Sequence, residues 1–226
     1  MTKQLDIIVS LTTWKRRISG GTLPRVLFRL LEQQDTSINY KVVLVLSEEE
    51  FGKDYKLPET ISIWLNNPKF EILWTYENTR ALKKLDPVME KYPEVPIITT
   101  DDDILFKRNA VDKLYLAYTK YPKDIQGALY NNNVGIWMVW GVRIFPPHSL
   151  GDIPTKYFKQ YFNYLQDDEW NAMRAKLKKT HLRKCEYNPI ENMTFGDQNS
   201  AIQHEYKRFN FKAAFNAFYK EHPEYK

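Results

Sequence analysis

With a single cysteine in 226 residues the chain has no partner for an internal disulfide, and Cys185 is expected to be a reduced, structural thiol. Glycine is scarce as well, with 8 residues, and no glycine-rich loop able to cradle a phosphate follows the first strand-like run, Ile7-Ile8-Val9. That run continues instead into Ser10-Leu11-Thr12-Thr13. No stretch approaches the roughly 18 apolar residues that crossing a bilayer requires. Met1 to Asp6 is polar and lacks the basic start, apolar centre and cleavage site of a secretory signal, so a cytoplasmic protein is expected. Cys and His spacings of a zinc site are missing, as are repeats, linkers and low-complexity tracts. The excess of positive charge is modest: 33 Lys and Arg against 28 Asp and Glu give +5. This favours anionic partners such as nucleoside diphosphates or anionic lipid, but without a basic helix, an aromatic RNA-binding strand or zinc spacing it argues against nucleic acid.

What is present is a folding composition, 43% apolar and 15% aromatic, at a length that suits one compact domain over residues 1–226. Apolar runs of strand length alternate with helical patterns through the first half, the pattern of βαβ units that build an α/β fold around a mainly parallel sheet. Strands are expected at Ile7 to Leu11, Lys41 to Leu46, Glu71 to Thr75 and Pro96 to Thr100, with helices at Leu23 to Gln34, Thr79 to Lys91 and Asn109 to Tyr121. Ser47 before Glu48-Glu49-Glu50 suggests a capped helical turn. The second half is less regular, with a strand at Gln126 to Tyr130, an aromatic segment at Ile136 to Phe145, and helices at Tyr157 to Leu165, Asp168 to Lys179 and Asp197 to Arg208. Trp14, Trp137 and Trp140 are weighed between stacking on a ligand and filling the core, and the core is favoured. His181 and His204 are read as surface residues.

The fourth strand ends in Asp101-Asp102-Asp103. Ligands of open α/β sheets bind beyond the carboxyl ends of the strands, so this triplet stands where a site belongs. Adjacent carboxylates repel and are costly to bury unpaired, so a cation or strong donors should accompany them. In extended backbone Asp101 and Asp103 point the same way and can share one hard cation, Mn²⁺ or Mg²⁺, while Asp102 points elsewhere. By itself the triplet equally suits a nuclease, a nucleotidyltransferase or a phosphatase.

The surrounding segments resemble a family, the bacterial glycosyltransferases of the GT-A fold that carry Asp-Asp-Asp after the fourth strand and build surface polysaccharides. Ser10 to Ile18 is similar to the family's base- and ribose-holding loop, and Asn78 to Leu85 to the segment that brings a basic side chain to the sugar nucleotide. Ile97 to Leu105 resembles the metal motif, and Gly141-Val142-Arg143-Ile144-Phe145-Pro146-Pro147 the segment beside the donor sugar. Asp167-Asp168-Glu169-Trp170 and Gly196-Asp197-Gln198 resemble the acidic acceptor-side motifs. The chain departs from the pattern at Trp137-Met138-Val139-Trp140, where a glycine-rich run is usual, at Phe145 for Tyr, and at Gly196 for Asn.

The resemblance implies a metal-dependent transferase moving a sugar from a nucleotide-sugar donor, a UDP-sugar by preference, to a glycan or lipid-linked glycan acceptor. Residues 1–106 would form the nucleotide-sugar half and 107–226 the acceptor half. It implies donor contacts from Thr12, Thr13, Arg17, Arg80, Lys84, Asp101 and Asp102, and metal ligands Asp101 and Asp103. An inverting reaction needs a carboxylate to take the acceptor hydroxyl's proton, and Asp168 is the first choice, with Asp167 beside it and Asp197 as the second. The aromatic and basic residues from Phe209 to Lys226 fit either an amphipathic helix touching anionic lipid or a helix packed on the domain. The alternatives are a sugar-nucleotidyltransferase and a glycan- or membrane-binding module that has lost activity.

Overall fold

The computed structural model describes residues 4–133, 136–192 and 209–226. The chain begins with β1 (Ile7–Thr12), α1 (Thr22–Glu32), β2 (Tyr40–Ser47), the short α2 (Glu48–Phe51) and α3 (Glu59–Ser62), and β3 (Phe70–Thr75). A 3-10 turn at Arg80–Lys84 and α4 (Asp86–Lys91) lead into β4 (Ile97–Asp101), β5 (Leu105–Phe106) and α5 (Ala110–Lys120). There follow β6 (Ile125–Asn133), β7 (Ile136–Phe145), α6 (Thr155–Phe162), α7 (Asp167–Lys178), β8 (Leu182–Lys184), β9 (Ile190–Asn192) and α8 (Phe211–Glu221).

Seven of these strands form one sheet in the order β3-β2-β1-β4-β7-β6-β8. β1 to β4 run parallel, β7 runs antiparallel to β4 and to β6, and β8 runs parallel to β6. β1, β2 and β4 are buried on both faces, which is why they read as largely uninterrupted runs without charge away from their ends, while β3 at the sheet edge is only half-buried. Ile7, Val9 and Leu11 of β1 face a cluster with Val26, Leu27 and Leu30 of α1 and Val111 and Leu114 of α5. Ile8, with Val43 and Val45, packs on Leu85, Val88, Phe145 and Ala175. Each such side chain contributes about 1.5–3 kcal/mol relative to leaving it in water.

Several expectations change. The helix predicted over Thr79 to Lys91 is broken into the 3-10 turn and α4, since Pro87 has no N–H to bond the Lys83 carbonyl and its ring would clash with it, which suits Pro87 to the first turn of α4 only, and Arg80 adopts φ 53. Ser47 precedes α2 but makes no side-chain cap, so that turn rests on its acidic residues facing the positive helix end. Trp137, assigned to the core, is 57% exposed. It lies on an antiparallel hairpin, where one side of a strand can stay outside the packed layers.

A second, aromatic cluster joins Phe158 and Phe162 of α6, Trp170 of α7 and Phe211, Phe215 and Phe218 of α8. The C-terminal helix therefore spends its aromatic face on the domain: Phe218, buried between Phe162, Trp170 and Tyr161, is not available to lipid. Among the described residues no helix is long and apolar enough to cross a membrane. The helix expected at Asp197 to Arg208, with Asp197 and His204, lies outside the described residues.

Candidate active site

The register places Thr12 of β1 opposite Asp101 of β4 on one side and Val45 of β2 on the other, at the carboxyl ends of three parallel strands. The loop after β1 folds over the aspartates. Thr13 is buried and donates its hydroxyl to Asp102 Oδ2 at 2.5 Å, and Arg17 Nη1 donates to Asp102 Oδ1 at 2.8 Å and Asp103 Oδ2 at 3.1 Å. Thr12 donates to the Val45 carbonyl at 2.7 Å. Thr13 and Arg17 thus hold the triplet itself, because a carboxylate as buried as Asp102 is costly without donors. Burial pushes the Asp102 carboxyl above its usual range, and Thr13 and Arg17 only partly offset it.

The strict alternation expected of Asp101 and Asp103 does not hold. The strand ends at Asp101, and a turn closed by the Ile104 N–H on the Asp101 carbonyl at 3.3 Å carries Asp102 and Asp103, so both reach the same guanidinium. Asp101 is paired instead with Lys84 Nζ at 2.5 Å, while keeping 45% of its side chain exposed.

Lys84 is not on an exposed helix face. The 3-10 turn turns both Lys83 and Lys84 inward, Lys83 to Glu50 at 3.0 Å and Asn78 at 2.8 Å, Lys84 to Asp101 and, at 3.9 Å, to Asp167. Their proton affinities diverge. Burial lowers that of Lys83 past what its Glu50 partner restores, whereas at Lys84 the same burial is outweighed by the carboxylates of Asp101 and Asp167. Arg80, half-buried at the head of the turn, has its backbone N–H on the Asn78 side chain at 3.1 Å.

Asp167 and Asp168 open α7 and meet Arg143 of β7. Arg143 is buried, donates from Nη2 to Asp167 Oδ2 at 2.7 Å, and sets Nη1 2.5 Å from Asp168 Oδ1 as an ion pair without hydrogen-bond alignment. A continuous chain of charges thus runs from Asp101 through Lys84, Asp167 and Arg143 to Asp168. Sequence reasoning placed Arg143 only inside a motif and gave it no role. The available signal was a lone guanidinium in Val142-Arg143-Ile144-Phe145, since a charge inside a buried strand must be paired.

The two aspartates are driven apart. Burial would raise Asp167, but Lys84 and Arg143 hold it below the ordinary carboxylate range. Asp168 is pushed up to about 7, first by burial and then by the neighbouring Asp167, with Arg143 opposing. A folded carboxyl that binds its proton more tightly than the unfolded one contributes stability at low pH and loses it as pH rises from near 4 through 7. The Asp168→Asn variant should therefore gain urea resistance relative to wild type between pH 5 and pH 7.5. A constant difference across that range would contradict the raised affinity.

Asp101 and Asp103 offer hard oxygen donors of the kind Mn²⁺ or Mg²⁺ takes. Among the described residues no group of three or more His, Cys, Asp or Glu side chains is gathered as a metal cage, so a cation here would complete its shell with water and ligand oxygens. Of the histidines, His181 is exposed and pairs with Asp124 at 3.1 Å, apart from the triplet.

No protein-family model matches the chain, and no curated protein matches it in sequence. Solved structures do. The chain matches residues 1–349 of TarS from S. aureus at TM-score 0.52 and 14% identity, over 82% of this chain and 60% of that one. The same fragment in complex with UDP-GlcNAc gives TM-score 0.53 at 14% identity, over 87% and 61%. A mannosyltransferase, PcManGT from Pyrobaculum calidifontis in complex with GDP-Man and Mn²⁺, gives TM-score 0.57 at 14% identity, over 92% and 61%. The chain spans about three fifths of the TarS 1–349 fragment and of PcManGT, and 36% of the longer TarS chain. The fold is that of GT-A glycosyltransferases.

Proposed function

We propose that this chain is a metal-dependent glycosyltransferase that moves a sugar from a nucleotide donor, a UDP-sugar, to a saccharide acceptor in capsule, exopolysaccharide or lipooligosaccharide synthesis. One observation carries the reading: at the carboxyl end of β4 the aspartate triplet and a buried Lys84 meet, on a fold shared with proteins solved with UDP-GlcNAc and with GDP-Man and Mn²⁺.

Residues 1–106 bind the donor and 107–226 shape the acceptor side. The loop of Thr12, Thr13 and Arg17 covers the base and ribose, and Arg80 and Lys84 face the diphosphate. Asp101, with 45% of its side chain exposed, and Asp103 are the residues that would hold Mn²⁺ or Mg²⁺, which would supply positive charge against the negative charge that grows on the leaving diphosphate. Lys84, already held by Asp101, adds a second positive charge that needs no reorganisation. Asp168 takes the proton of the attacking hydroxyl; a base whose affinity sits near neutral pH is well matched to that step, and it leads to inversion. Asp167 keeps Arg143 and Lys84 in place, and Asp197 is a second acidic group of the acceptor side. A cytoplasmic setting suits the buried, unpaired Cys185.

Calorimetry with UDP and GDP, with and without Mn²⁺, tests the reading. UDP binding that needs Mn²⁺ and falls at least about ten-fold in Asp103→Ala is expected, the size of one lost charge-assisted contact. Binding that ignores the metal, or survives Asp103→Ala unchanged, would remove the central claim. The product anomer read by NMR checks the base: retention would take that role from Asp168.

A further inference from the structure

β7 is longer than its partner β4 can cover. Pairing runs from Phe145 opposite Ile97 to Arg143 opposite Thr99, and β7 then continues with β6 as a hairpin beyond the carboxyl end of β4, on the side where the aspartates lie. On this extension Tyr130 and Trp137 stack on each other, centroids 5.2 Å apart and planes 17° from parallel, yet stay 40% and 57% exposed. Exposed aromatics so placed call for an explanation, since each leaves large apolar area in water.

Their face is fixed by the pairing. Tyr130 stands directly opposite Val139, and Trp137 is two residues from Val139, so all three project to one side of the hairpin. Val139 lines a small cavity with Arg143, Phe145, Asp168 and Asn171, which identifies that side as the one carrying Asp168. β7 carries one extra residue between Trp140 and Arg143, so at about 3.3 Å per residue of the paired β6 Trp137 lies roughly 17 Å along the strand from Arg143, the reach of a short oligosaccharide and beyond that of a single sugar.

The chemistry of the hairpin narrows the ligand. In a chain with 27% charged residues, none occurs from Ile125 to Val142. Without Lys or Arg the surface has no means of attracting anionic lipid or nucleic acid. What it offers on the side carrying Asp168 is two stacked aromatic rings with no charge beside them in the hairpin, which suits an uncharged saccharide, whose C–H faces lie on aromatic rings.

We propose that Tyr130 and Trp137 form a stacking platform for the distal sugars of an uncharged oligosaccharide acceptor, holding them while the terminal residue reaches Asp168. The identity of the ligand as acceptor rests on the transferase reading; the platform itself does not. The test is titration of the full chain with mannotetraose, cellotetraose and chitotetraose by saturation-transfer NMR, alongside UDP–Mn²⁺ calorimetry on the same preparations.

At least one tetrasaccharide should bind, Trp137→Ala and, separately, Tyr130→Ser should weaken it by about ten-fold, and Trp137→Phe should keep most of it. Nucleotide affinity should be unchanged in all three variants. No binding by wild type, or equal binding by Trp137→Ala and Tyr130→Ser, overturns the platform. So does a Trp137-dependent association with neutral phosphatidylcholine vesicles, or a Trp137-dependent dimer in sedimentation without saccharide binding. If the nucleotide fails to bind while saccharide binding depends on Trp137, the transferase reading falls and the platform stands.

Discussion

Replacing Lys84 with Met is expected to lower turnover of a sugar nucleotide by about two to three orders of magnitude, the range for losing one preorganised electrostatic partner of a developing negative charge. The ammonium is buried, fixed by Asp101 at 2.5 Å and within 3.9 Å of Asp167, so nothing in solution can take its place. Lys84→Arg keeps the charge in a larger, planar group and should lose less. Release of nucleoside diphosphate at saturating donor and metal measures the effect. Activity within three-fold of wild type in Lys84→Met would show that the lysine serves only to neutralise Asp101. Its neighbour provides the internal comparison: Lys83→Met breaks the contact to Glu50 and should act on stability far more than on turnover.

The second large effect is structural. Arg143→Met should destabilise the fold by about 3–5 kcal/mol, because it removes one partner of a buried charge group and leaves Asp167 and Asp168 facing each other. For a chain of this size that corresponds to a fall of about 10 °C in the thermal midpoint. The double variant Arg143→Met with Asp167→Asn should recover part of the loss, since it also removes the carboxylate left uncompensated. Differential scanning calorimetry separates the outcomes. A midpoint unchanged in Arg143→Met would mean that water already screens the pair. Arg143→Lys should fall between the two, as a single ammonium lacks the two separate nitrogens with which the guanidinium meets Asp167 and Asp168.

These two residues also show where sequence and structure divide. The succession of strands and helices in the first half, the apolar stripe of α1 and the position of the aspartates at the end of a strand were all legible in the sequence, because each is a local pattern. Period-2 and period-3.6 repeats and a run of like charge leave their mark within a few residues. The metal-chemistry reading of Asp101 and Asp103, and the choice of Asp168 as an acidic group at a helix start, came from the same local logic.

What tertiary structure alone decided is which charges meet. Lys84 and Asp101 are 17 residues apart, Arg17 and Asp102 are 85, and Arg143 and Asp167 are 24, and no local pattern reports these pairings. The same holds for the break before Pro87, which turns two lysines inward, and for the turn after Asp101, which brings both Asp102 and Asp103 to Arg17. The exposure of Trp137 could not be read either, since an aromatic in an apolar strand is written identically whether a layer covers it or not. The sequence determined that this chain builds an open α/β sheet with carboxylates at its mouth. The fold determined their protonation and pairing, because burial and charge neighbours act through space, between groups that the chain brings together only when the sheet closes against its helices.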